Sequence, residues 1–122
     1  MTKEELEAKV TAGESLAGIE LHNADLREAA LNWANLAGSD LRGAELTGAY
    51  LIGANLRGAN LSGAYLTGSD LSRANLSDAS LSDADLSDAN LRGADLRNAD
   101  LSEADLRNAN LAGANLDGAI QS

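Results

Sequence analysis

Few residues in this 122-residue chain could carry out chemistry, and their placement argues against it. The only histidine is His22, one residue after Leu21. A histidine acting as general acid or base needs a nucleophile or carboxylate held beside it. Cysteine is absent, so there is no thiol nucleophile, disulfide or thiolate metal site. Ser77, Ser82 and Ser87 each follow a leucine as His22 does, in a position that points outward, and no Ser-His-Asp set can be assembled from them. Asp78, Asp83, Asp85 and Asp88 form the densest acidic cluster. A hard cation needs several oxygens at one point. The five-residue spacing of Asp78, Asp83 and Asp88 turns them around the molecule rather than toward a centre, which predicts a solvated acidic belt. The glycines lack the strand-to-helix setting of a phosphate loop. The chain therefore reads as a binding or structural protein and not an enzyme, with no catalytic residue, cofactor or metal.

The elements that place these residues follow from one period. Leucine stands at every fifth position from Leu16 through Leu116, twenty-one times in all. Two residues before each, from position 19 to 119, stands alanine, except at Ile19, Ser39 and Ser69. The residue before the leucine is usually Asp or Asn, and every glycine but Gly13 lies two residues after a leucine. On an α-helix five residues turn through about 500°, so the leucines would spiral over all faces. On a flat strand, with its period of two, successive leucines would fall on opposite faces. The pattern works only if the backbone turns a corner once per repeat, so that each leucine and the preceding alanine enter one shared interior. Glycine suits a corner that needs positive φ. Where it is missing, Asn23, Asp78, Asp83, Asp88, Asn98 and Asn108 supply the next most tolerant residue types.

The segments Ala24-Asp25-Leu26, Ala54-Asn55-Leu56-Arg57-Gly58 and Ala94-Asp95-Leu96 resemble the pentapeptide-repeat proteins, and the resemblance runs over residues 16 to 120. It implies an all-β right-handed quadrilateral β-helix with four repeats, or twenty residues, per coil; periodicity alone would also permit three sides. Twenty-one repeats then make about five coils. Residues twenty apart stack, which defines four faces. The first carries Asn35, Asn55, Asn75, Asp95 and Asn115, an arrangement suited to an amide ladder. The second carries Glu20, Asp40, Asn60, Ser80 and Asp100, and the fourth Ala30, Tyr50, Asp70, Asn90 and Asn110. The third is the most acidic, with Asp25, Glu45, Asp85 and Asp105 around Tyr65.

Both ends of such a rod need covering. Thr2 and Glu5 form a capping-box pattern, Leu6 and Val10 share one helical face, and Gly13 can stop the helix. Residues 1–13 are therefore expected to form a capping helix, residues 14–120 the β-helix and residues 121–122 a tail. No comparable device follows the last repeat, so the last coil stands bare, or meets a second chain end to end, or continues in a longer protein; of these the expectation is a homodimer through the uncapped C-terminal coil.

Charge bears on partners. The net charge is -10 and the sequence pI about 4.3. This disfavours direct contact with nucleic-acid phosphates or an anionic membrane and favours a basic partner or simple solubility. The start of the chain has no signal-peptide core and no run is long enough to span a bilayer, so a cytoplasmic location is expected. Trp33, Tyr50 and Ile52 map to the fourth face on adjacent coils, with Trp33 above Gly53. They form either a contact site for an unidentified protein or rings packed on the helix or on one another. The resemblance to short, regular cyanobacterial members implies an interaction, structural or regulatory module. Its alternative is a DNA mimic that binds DNA gyrase, inhibiting it or protecting it from quinolones, through Asp25, Glu45, Asp85 and Asp105. Ten net charges on a rod of about 25 Å compare with roughly fifteen on that length of duplex.

Overall fold

A computed structural model describes residues 1–121. Parallel bridges pair residue n with n+20 without interruption, from Glu20 with Asp40 to Asp100 with Ile120. Twenty residues per coil and five per repeat give four sides, the right-handed quadrilateral β-helix. Each side contributes one bridged residue, the one before the leucine, and then turns.

The turn explains the period. The leucine carbonyl accepts a bond from the N–H three residues on, as in Ala24 to Leu21 at 3.1 Å, which closes a β-turn. The third residue of each turn, two after the leucine, has positive φ at all twenty-one repeats, as a type II turn requires. Glycine was expected there, with Asn and Asp as substitutes. The structure adds Glu28, Trp33, Arg73 and Glu103, with φ between 59° and 65°. Stacking forces the left-handed conformation even on side chains that gain nothing from it.

Coils are joined through the backbone. From Leu16 to Leu101 each leucine N–H, and from Gly18 to Asn98 each corner N–H, donates to a carbonyl nineteen residues ahead, while from Asp40 onward the residue before the leucine donates back to the coil above. Within this frame Leu26 to Leu101 and most of the alanines are buried in one continuous core. In the last coil Leu106, Leu111 and Leu116 are only partly buried, and Ile120 is half exposed.

The position before each leucine also has a local reason. At Asp25, Asn35, Asp40, Asn55 and ten further repeats, the side-chain Oδ1 accepts the N–H two residues ahead. This Asx turn satisfies the one amide of the repeat that has no backbone partner. The asparagines of the first face are used this way, along their own coil, and not as a ladder between coils.

The N-terminal end is covered by α1, Lys3–Thr11, with Thr2 as N-cap and both bonds of the capping box to Glu5. Leu6 is fully buried on the first coil. Two polar contacts complete the cover. The Glu7 carboxylate accepts the Ala30 N–H at 2.7 Å, and the Lys3 ammonium donates to the Arg27 carbonyl at 3.1 Å. One turn of helix thus supplies both an acceptor and a donor where a preceding coil would have stood.

Ser39 and Ser69 replace alanine inside the core, and their hydroxyls have no partner. An unsatisfied buried hydroxyl costs about 1–3 kcal/mol. Ser39→Ala and Ser69→Ala should each raise stability by about 1 kcal/mol, read as a higher guanidinium midpoint at unchanged slope. A lower midpoint would contradict this reading.

Candidate interaction site

The chain has one Trp, two Tyr and no Phe, and all three rings stand at the surface. Trp33 is 67% exposed, although it occupies a corner with φ of 65°. A bulky side chain in that region costs about 1–2 kcal/mol. Its ring lies flat over the corner below. A Cβ built on Gly53 would fall 2.0 Å from the ring's Cζ3, so only glycine can stand there. The indole therefore rests on backbone, with its other side in solvent.

Tyr50, about half exposed, stands where most repeats carry Asp or Asn, so its repeat lacks the Asx acceptor. The amide left over, that of Ile52, is taken by the Asn32 side chain of the coil above at 2.9 Å. Trp33, Tyr50 and Ile52 thus share the fourth face on two successive coils. Tyr65, also half exposed, lies on the third face, one coil further down. It belongs among the surface rings, and its exposure could have been read from its place before a leucine.

The acidic third face is less free than its composition suggests. Arg27 grips Asp25 through Nε and Nη2 at 2.8 and 2.7 Å, and Arg107 holds Asp105 in the same way. Asp85 accepts both the hydroxyl and the N–H of Ser87, and Tyr65 separates it from Glu45. His22 Nδ1 lies 3.7 Å from Asp40, whose carboxylate is already gripped by Arg42, and the imidazole stands largely in solvent. Asp78, Asp83 and Asp88 occupy successive corners. Among the described residues no three His, Asp or Glu side chains converge as a metal site. Nor is any helix long and apolar enough to cross a membrane.

The family model for pentapeptide repeats matches residues 15–43, 44–83 and 84–120. The chain belongs to the pentapeptide-repeat family. Among solved pentapeptide-repeat structures, it superimposes on Rfr23 of the cyanobacterium Cyanothece 51142 with a TM-score of 0.85. That pair shares 27% identity over 88% of each chain. HetL of Nostoc sp. strain PCC 7120, involved in the regulation of heterocyst differentiation, is 34% identical over 89% of this chain and 73% of its own, with a TM-score of 0.29. The fluoroquinolone resistance protein QnrB1 is 20% identical over 84% and 77%, with a TM-score of 0.46. A comparison with curated protein sequences gives no significant match.

The arginine clamps of this pentapeptide-repeat rod contribute to its acid response. Bonds from the neighbouring guanidinium hold Asp25, Asp40 and Asp105 down to about 2. Each ionises in the folded state well below the ordinary Asp value of about 3.9. The clamps therefore contribute stability above about pH 4, and it is lost as the pH falls toward 2. Thermal unfolding from pH 7 to 2 should show Tm declining only below about pH 4. Replacing Arg27, Arg42 and Arg107 with Gln should flatten that decline, and an unaltered decline would contradict the clamps.

Proposed function

We propose that this pentapeptide-repeat protein is a non-enzymatic interaction module that engages a protein partner through Trp33, Tyr50 and Ile52 on its fourth face. The observation that carries the reading is Trp33: an indole two-thirds in solvent, on a corner whose φ of 65° opposes it, over a glycine that leaves room for it. Folding alone would favour glycine at that corner. Tyr50 adds to the case, since it replaces the local Asx acceptor with an exposed ring. Large aromatic side chains supply much of the binding energy in protein interfaces. A rigid four-sided rod holds such rings in fixed relation without an induced change of shape. HetL, 34% identical, is involved in a regulatory process, which fits a role exercised through contacts.

Mimicry of duplex DNA toward DNA gyrase has less support. Two of its four carboxylates, Asp25 and Asp105, are clamped by arginine, and Tyr65 breaks the column.

The test is a pull-down from native lysate with the wild-type protein and with Trp33→Gly/Tyr50→Ala. Glycine is chosen at position 33 because it accepts the corner's φ. Partners retained by the wild type should be lost by the variant, and an unchanged set would discard the site. In parallel, gyrase supercoiling should be unaffected by a large molar excess of the protein; inhibition would restore the mimic reading.

A further inference from the structure

Seven arginines stand on this acidic rod, and five have a carboxylate. Arg27, Arg42, Arg97 and Arg107 each lie two residues after an aspartate and close on it with two bonds. Arg57 follows Asn55 and reaches Asp78 at 3.5 Å. Arg73 and Arg92 have no carboxylate within 4.0 Å among the described residues. The reason is in the repeat. Arg92 follows Asn90, whose amide oxygen takes the Arg92 N–H but offers no charge. Arg73 occupies a corner, outside the geometry of the clamp, and Asp70 on that coil is turned to Ser72.

These two free guanidinium side chains are neighbours. The Arg73 N–H donates to the Arg92 carbonyl at 2.9 Å. The Arg73 stem runs down over Gly93, its Cγ 3.8 Å from where a Cβ on that glycine would lie. Together with Ser72, Asn90 and Gly113 they line an open groove of about 450 Å³, with no carboxylate among the described residues that line it. Like charges side by side repel, and a guanidinium fork is matched by an oxyanion. On a molecule of net charge -10, this is a local reversal of sign.

The groove lies on the same strip as the aromatic site. Trp33, Gly53, Arg73 and Gly93 form one corner column, with the indole resting on Gly53 and Arg73 one coil further down. Two coils separate Trp33 from Arg73, about 10 Å. We propose that the fourth face binds an acidic segment of a partner protein, with an apolar residue against Trp33, Tyr50 and Ile52 and an Asp or Glu carboxylate between Arg73 and Arg92. The proposal rests on the contact site above and names the chemistry of its occupant. It reverses the expectation of a basic partner, because the bulk of the negative charge lies on other faces, where five of the eleven aspartates have an arginine of their own. A segment in polyproline II conformation rises about 3.1 Å per residue with three residues per turn. Its residues i and i+3 therefore project to the same side about 9 Å apart, the spacing of the two subsites.

The experiment is selection of a displayed library of random twelve-residue peptides on the immobilised full chain. Enriched peptides should be net negative and carry Asp or Glu three or four residues from a large apolar residue. They should shift the emission of Trp33, the single tryptophan. Their affinity should fall about tenfold or more on Arg73→Gln/Arg92→Gln, as loss of a charge-assisted pair implies, and similarly on Trp33→Gly. Circular dichroism of both variants checks the fold. Enriched peptides that are neutral or basic, or that bind Arg73→Gln/Arg92→Gln unchanged, would overturn the acidic partner while leaving the aromatic site standing if Trp33→Gly abolishes binding. Peptides indifferent to Trp33→Gly would overturn the aromatic site itself, and no enrichment over a blank support would overturn both.

Discussion

A leucine must enter the same enclosed interior every five residues, and the backbone meets that demand by turning a corner through a left-handed residue in each repeat. The remaining features follow from that corner. It returns the chain to register after four sides, so that each coil hydrogen-bonds to the next through the leucine and corner amides. It leaves one amide per repeat without a backbone partner, which the preceding Asp or Asn satisfies in most repeats. It also leaves room in the interior for a leucine and only a small residue beside it, hence alanine. A fold with no aromatic core draws on its leucines, buried in one column along the axis, each burial worth roughly 1.5–3 kcal/mol.

The same regularity makes departures informative. Where a side chain other than Gly, Asn or Asp stands at a corner, it is held in a conformation it does not favour. Glu28, Trp33, Arg73 and Glu103 are such cases, and two of them, Trp33 and Arg73, fall on one column of the fourth face. Arginine follows a comparable rule: after Asp it is clamped, after Asn or at a corner it is left to find another partner. Function on this scaffold is written as exceptions to the repeat, displayed on a surface whose spacing the backbone fixes.

Much of this could be read from the residues. The five-residue period demanded corners, and positive φ was correctly assigned to Asn23, Asp78 and the other Asn and Asp corners. The capping helix was visible in Thr2, Glu5 and Leu6. The number of sides was not contained in the period, since three- and four-sided coils repeat alike; the n to n+20 bridges decide it. The contacts of Glu7 and Lys3 with the first coil escaped notice because they depend on where α1 lies, which helical periodicity does not report. The role of Asp and Asn before the leucine was also missed. The pattern was plain, but the amide it satisfies appears only once the coils are stacked. At the candidate site, the position of Trp33 over Gly53 followed from counting twenty residues. The freedom of Arg73 and Arg92 did not, because a count of arginines and aspartates does not show which pairs close.

The account is tested most directly by residue-resolved amide hydrogen exchange in solution. Over the first four coils it predicts protection with a strict five-residue period. The leucine and corner amides, bonded between coils, should exchange slowly. The amides one residue after each leucine, bonded only to a surface side chain or to none, should exchange fastest. Protection without that period, or with the slow amides in contiguous helical runs, would contradict it.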